Sequence, residues 1–233
     1  MKRSILATLT LFVLVPLFSK AQDITQLVEK VKAKIELVKD YTASGKMKTN
    51  VSFLKVPVAN VMIYFKKPNQ LKIKNEKGIS FIPKGAVSIN LNNVLGSGAY
   101  TVLDAGNDKV ANIAVKVVKL LPTDDNADIV LSTLYIDEAR QVILKTRTTT
   151  RDNGSYELEM SYGKYVSFGL PDKIIFSFNT KDYKLPKGVT FDFDDGTAAK
   201  PEADKTKNRK GRAEITISAY EINKGLSDDV FKK

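Results

Sequence analysis

The sequence predicts a mainly β, α+β fold: about ten antiparallel strands, preceded by one long helix and interrupted by a short one. Three observations carry this. Residues 23–39 hold an apolar stripe at helical spacing. From Tyr41 onward, β-branched and aromatic runs alternate with short turns. No strand–helix–strand rhythm of a parallel sheet breaks the series.

The first residues stand apart. Lys2 and Arg3 precede the apolar run "ILATLTLFVLVPLF", and "SKAQ" follows it, with small residues at Ser19 and Ala21. This reads as a secretory signal peptide, residues 1–21, cut after Ala21. A membrane anchor fits less well: the run is short of the roughly 20 residues a span needs and contains Pro16. Removing residues 1–21 from the 233 leaves 212, residues 22–233, enough for one domain with a proper core. Loss of Lys2, Arg3 and Lys20 takes the net charge from +11 to +8.

Composition removes whole classes of chemistry. The chain has no cysteine, so it has no disulfide and no lipidated N-terminal cysteine. It has no histidine, which excludes Ser-His-Asp and Cys-His catalysis and the usual zinc and copper ligand sets. No catalytic residue, metal site or cofactor is expected. "DFDDG" and "TDDNAD" cluster carboxylates without the spacing of a calcium loop, and read as polar turns. Asp137-Glu138 reads as a hairpin turn, since adjacent side chains diverge.

The elements follow in order. In the first helix Ile24, Leu27, Val28, Val31, Ile35 and Val38 form the stripe, with Asp23 as N-cap and Gln26 completing a capping box. "TASGKMKTNVSFL" and "VANVMIYFKK" are strands around a Val56-Pro57 bend, and "QLKIKN" and "ISFIP" are shorter strands joined by an "EKG" turn. Residues 86–95 form a short amphipathic helix through Val87, Leu91, Val94 and Leu95. The later strands are "YTVLDAG", "KVANIAVKVVKLL", "ADIVLSTLYID", "QVILKTRTTTRD", "SYELEMSYGKYV", "KIIFSFN", "GVTFDF" and "RAEITISAYEI". Residues 194–212 are polar and charged, and read as a mobile loop. Their basic cluster reads as a solvated insertion or as a docking surface for an acidic partner. Nucleic acid is not expected, because no aromatics interleave with it.

Several strands put large apolar groups on one face. Tyr156, Leu158 and Met160 share a face, as do Phe176 and Phe178, and as do Leu131 and Tyr135. In "NVMIYF" both faces are apolar, with Met62 and Tyr64 on one and Val61, Ile63 and Phe65 on the other. Two helices are a small cover for so much apolar sheet. The interior is therefore a deep core or a cavity, and its aromatic and methionine side chains suit acyl chains. The candidate ligand-binding set is Met62, Tyr64, Leu91, Leu131, Tyr135, Tyr156, Leu158, Met160, Phe176 and Phe178. For each residue alone, plain core packing is the simpler reading.

Element order and three stretches, "YFKKPNQLKI", "LYIDEARQVILKT" and the terminal "YEINKGLSDDVF", resemble the LolA-like family of periplasmic lipoprotein-sorting and lipid-binding proteins. The resemblance implies an incomplete antiparallel β-barrel whose helices cover an apolar cavity for acyl chains. It implies a monomeric periplasmic carrier or chaperone for an acylated lipoprotein or lipid, with membrane donor and acceptor proteins and no enzymatic step. "GKMKTNVSF" carries Lys46 and Lys48 in the early strands, where the family places a functional arginine. A second reading is an envelope sensor or adaptor that binds a protein through the basic loop or a sheet edge. In the tail, Asn223 and Gly225 suit left-handed turn positions, Ser227 suits a cap, and Leu226 and Phe231 are expected to pin the terminus to the sheet.

Overall fold

The computed structural model describes residues 19–51, 54–55, 58–68, 70–75, 95, 99–151, 154–179 and 210–232. Helix α1 (Ser19–Glu36) starts four residues before the expected cap at Asp23. Lys20, Ala21 and Gln22 are good helix formers, so nothing local stops the helix at Asp23. Its end tightens: Leu37 N donates to Lys34 O and Val38 N to Ile35 O.

The strands are β1 (Asp40–Val51), β2 (Leu54–Lys55), β3 (Ala59–Lys66), β4 (Gln70–Asn75), β5 (Tyr100–Val110), β6 (Ile113–Pro122), β7 (Ile129–Asp137), β8 (Val142–Thr150), β9 (Gly154–Ser161), β10 (Lys173–Asn179) and β11 (Lys210–Ile222). Ten of them form one antiparallel path, β4-β3-β1-β11-β10-β9-β8-β7-β6-β5, and β2 pairs with β1 off that path. The end strands β4 and β5 do not pair with each other among the described residues, so the sheet stays open.

One turn differs from expectation. The sequence suggests a break near Asn107, between "YTVLDAG" and "KVANIAVKVVKLL". Instead β5 continues to Val110 and turns at Ala111-Asn112, both with positive φ. This is the backbone that two-residue hairpins require, and Asn tolerates it well. Gly106, at φ 88, sits in a register shift between Asp104 and Asn107 and marks a bulge within the strand. The expected strands 79–83 and 188–193, the Val56-Pro57 bend, helix positions 86–94 and loop positions 194–209 lie outside the described residues; the last three positions of that expected loop, 210–212, instead open β11, where they pair with Asn179, Phe178 and Ser177. Leu95, the last position of that expected helix, is buried in the main core.

The core lies on the concave face, beneath α1. Ile24, Leu27, Val28 and Val31 of α1 meet Val118, Leu120, Leu134, Ile136, Leu158 and Phe176 from β6 to β10. Burying those four helix side chains stabilises the docked helix by about 1.5–3 kcal/mol each relative to exposure. Gly211 makes room for the Phe178 ring: a Cβ there would sit 2.2 Å from the ring. On the convex face Glu157 bridges Lys145 at 2.8 Å and Arg147 at 3.1 Å across β8 and β9, and Tyr135 packs on a second apolar cluster of buried Val115, Val142 and Leu144.

The C-terminus closes back on the junction between α1 and β1. Asn223 (φ 56) and Gly225 (φ 83) take left-handed conformations. Asn223 Oδ1 accepts from Lys39 N at 2.7 Å, and Asn223 Nδ2 donates to Leu37 O at 2.9 Å. The buried Asp40 carboxylate accepts from Lys224 N and Gly225 N. Ser227 caps a single 3-10 turn, Asp228–Phe231, by accepting from Asp229 N. Lys72 Nζ of β4 then donates to Val230 O and Lys232 O.

Candidate functional site

The C-terminal end of α1 roofs a cavity between two walls. Ile35 and Val38 come from above. Tyr41, Ile63, Phe65, Leu71 and Ile73 come from β1, β3 and β4. Met160, Ile174, Ile215, Ile217 and Tyr220 come from β9, β10 and β11, and Leu170 and Pro171 from the connection before β10. No lining side chain is charged.

Strict alternation in the hairpin β3–β4 positions one wall. Lys72 and Lys74 face out, so Leu71 and Ile73 face in. Their partners follow by register: Phe65 faces Leu71, and Ile63 faces Ile73. The opposite wall comes from one rung of three strands, where Met160 pairs with Ile174 and Ile174 with Ile215.

The volume is about 60 Å³. By the roughly 10–15 Å³ that one water requires, this holds a few waters and no long chain. Larger guests require α1 or the 165–171 connection to move. An aromatic cluster closes one side. Tyr220 lies edge-on to Tyr41 at 5.3 Å and to Tyr165 at 4.9 Å, and Tyr41 lies 5.2 Å from Phe65. Tyr220 Oη donates to Pro171 O at 2.7 Å. Burial pushes the ionisation of Tyr41 and Tyr220 well above the ordinary phenol value, so both stay neutral. The site is an uncharged, largely apolar pocket, suited to hydrocarbon and unsuited to acid–base work.

The candidate residues from the sequence fall in three places. Met160 lines the cavity. Tyr156, Leu158, Phe176 and Phe178 lie in the packed core under the first turns of α1. Met62, Tyr64, Leu131 and Tyr135 lie on the other face of their strands, because Val61, Ile63 and Phe65 are the buried set in β3, and Ser132, Leu134 and Ile136 in β7. Leu91 lies outside the described residues. Register could have assigned those faces. Tyr64 pairs with Lys72 and Met62 with Lys74, and Tyr135 pairs with Lys145, so each shares a face with lysines. Lys74 lies over the Tyr64 ring and Lys145 over the Tyr135 ring, at 5.5 and 5.6 Å. The cavity residues Tyr41, Leu170, Ile215 and Tyr220 were not singled out in sequence, since only tertiary closure brings the chain's two ends together.

An open antiparallel sheet with a helix across its concave face and an apolar cavity beneath defines the LolA-like architecture. The chain covers 97% of a domain from Vibrio parahaemolyticus described as an outer membrane lipoprotein-sorting protein, at TM-score 0.56 and 13% identity over 91% of this chain. A LolA superfamily protein from Nitrosomonas europaea matches at TM-score 0.54 and 11% identity, over 90% of this chain and 97% of that one. A DUF1329 family protein from Desulfovibrio piger matches at TM-score 0.53 and 11% identity, with the same coverage. At such identities the likeness is one of fold. No protein-family model matches the chain, and no curated protein matches it by sequence. Among the described residues no group of three or more acidic side chains could hold a metal ion, and no helix is long and apolar enough to cross a membrane.

Proposed function

We propose that the protein is a periplasmic carrier that takes the acyl chain of a lipoprotein or lipid beneath α1. The observation that carries this reading is the uncharged cavity between the end of α1 and the β1–β3–β4 wall. Its roof is the less buried end of the helix: Ile35 is partly exposed and Leu37 is 55% exposed. Lifting that end breaks the bonds of Lys34 Nζ to Arg140 O, Lys67 Nζ to Glu36 O and Asn223 Nδ2 to Leu37 O, but leaves Val28 and Val31 packed. An entering acyl chain would replace the displaced contacts with its own, which keeps the exchange near balance. The LolA-like fold supports the reading, since one of its structural relatives is described as lipoprotein-sorting.

The experiment is native purification followed by lipid extraction and mass spectrometry, with uptake of a fluorescent fatty acid as a second readout. Bound acyl lipid and saturable uptake are expected. Lipid-free protein that also ignores the fluorescent probe would exclude carriage. Export belongs to the same proposal: residues 1–21 act as a cleaved signal, and mass spectrometry of periplasmic protein should find Gln22 as the first residue.

The sensor or adaptor reading draws on strand β5. It forms an end of the described sheet, and eight of its eleven residues are exposed. An exposed edge can accept a partner strand. Deleting residues 196–210 separates docking through the basic loop from carriage: the carrier keeps lipid uptake, whereas a loop-docked adaptor loses its partner.

A further inference from the structure

The interior is not uniformly apolar. On the concave face of β7 and β8 lie three hydroxyls, Ser132, Thr146 and Thr148, each no more than 1% exposed. Ser132 Oγ and Thr148 Oγ1 bond each other at 3.1 Å. That bond uses one of their two protons. Thr146 Oγ1 is fully buried and finds no hydrogen-bond partner among the described residues. A buried hydroxyl without a partner loses its hydration and gains nothing in return, so native proteins rarely keep one without a use.

Position connects this patch to the cavity. Thr146 lies opposite Leu158 in the β8–β9 ladder. Met160, which lines the cavity, is two residues along the same strand and on the same face. Thr146 is therefore a diagonal neighbour of a cavity residue, at roughly 7–8 Å by ladder geometry. Its neighbours across the sheet, Leu134 and Leu158, are fully buried and apolar. An anionic headgroup would lose its hydration there with no counter-charge to replace it. A neutral acceptor fits.

We infer that Thr146, with the Ser132–Thr148 pair beside it, is a polar subsite that binds the acyl carbonyl of the cargo. Once α1 lifts, the chain lies in the cavity past Met160, and the Thr146 hydroxyl, otherwise packed between Leu134 and Leu158, donates to the carbonyl oxygen. The subsite thus selects O-acyl and N-acyl chains over plain hydrocarbon and ether-linked chains. This rests on the carrier reading and deepens it.

The test compares three probes of equal chain length on the full mature protein: monopalmitoyl glycerol, N-palmitoyl ethanolamine, and hexadecyl glyceryl ether, which lacks the carbonyl. The wild type should bind the two carbonyl probes about five- to tenfold more tightly than the ether, the worth of one buried hydrogen bond. Comparing the ester with the amide shows which acyl linkage the subsite prefers. Thr146→Val, which keeps shape and removes the hydroxyl, should bring that ratio to about one, leave ether affinity within about twofold, and not lower the melting temperature. Thr146→Ser should restore the preference. An unchanged carbonyl-to-ether ratio in Thr146→Val overturns the subsite while leaving carriage intact. Failure of the wild type to bind any of the three probes overturns the carrier reading itself.

Discussion

Two ends of the same interior are packed differently. Under the first turns of α1, Val28, Leu134, Leu158 and Phe176 are essentially free of solvent and fill their space. Under the last turn the same sheet leaves a void, and Ile35 and Ile174 are only partly buried. The contrast falls within one strand: on β10, Phe176 belongs to the filled end and Ile174 to the void, two residues apart on one face. The filled end supplies stability, and the other end keeps room that stability does not require. A protein under selection for stability alone would have closed the gap, because interiors pack to crystal-like density.

The comparison is broken most directly on β10. Phe176→Ala should cost about 3–5 kcal/mol, as aromatic truncation in a filled core does, while Ile174→Ala should cost about 1–2, since its neighbours already border a void. Urea unfolding measures both, and equal costs would mean that the two ends are packed alike. Next in size is the C-terminal closure. Truncation after Ile222 removes the Asn223 bonds and leaves the buried Asp40 carboxylate without its two backbone donors. The expected loss is about 2–3 kcal/mol. At roughly 2–4 °C per kcal/mol for a domain of this size, the melting temperature should drop by about 5–10 °C. An unchanged melting temperature would show that the tail is not a latch. Smaller in stability but large in function is filling the void: Ile215→Phe should change stability by less than about 1.5 kcal/mol and sharply reduce fatty-acid uptake. Uptake at the wild-type level would place the ligand elsewhere.

Local chemistry was the legible part of this chain. The helical stripe from Ile24 to Val38, the alternation in "QLKIKN" and the tail's Asn223, Gly225 and Ser227 each act through neighbours a few residues away. Each reads directly as stripe, hairpin face or cap. The hairpin at Ala111-Asn112 was hidden because Gly106-Asn107 offers an equally good turn signal, and only pairing with β6 decides that it is a bulge. The cavity was hidden for a deeper reason. Its walls come from β1, β3 and β4 near one end of the chain and from β9 to β11 near the other. The pairing of β1 with β11, Tyr41 against Ile222, joins them. Face assignment lay between these extremes. Met62, Tyr64, Leu131 and Tyr135 are as apolar as their buried neighbours, and only their partners across the ladder, lysines for Met62, Tyr64 and Tyr135 and Thr149 for Leu131, show that they point outward.

Ionisation sharpens the comparison at its finest grain. On the convex face, Glu157 is desolvated, which raises its affinity for protons, but bonds from Lys145 and Arg147 outweigh this and hold it below the usual carboxylate range. Lys173 holds Glu214 down in the same way. A depressed carboxylate stabilises the fold above its unfolded value, and that contribution is lost as pH falls through its folded value. Stability should therefore decline below about pH 4.5. At the other extreme, burial holds Tyr41 in its neutral form far above the ordinary phenol value. A raised phenol leaves stability intact below the unfolded value, and stability is lost as pH climbs from there toward the folded value, so the decline begins above about pH 10. Between these limits the chain has no histidine to titrate, and the melting temperature should be level from about pH 6 to 9. Tyr41→Phe tests whether the void is dry. It keeps the ring against Phe65 and Tyr220 and removes the phenol, so it should weaken the alkaline decline and leave the acid limb untouched. If the Tyr41→Phe and wild-type curves coincide above pH 10, water already reaches the cavity wall, and the contrast between the two ends is one of wet against dry rather than of loose against tight.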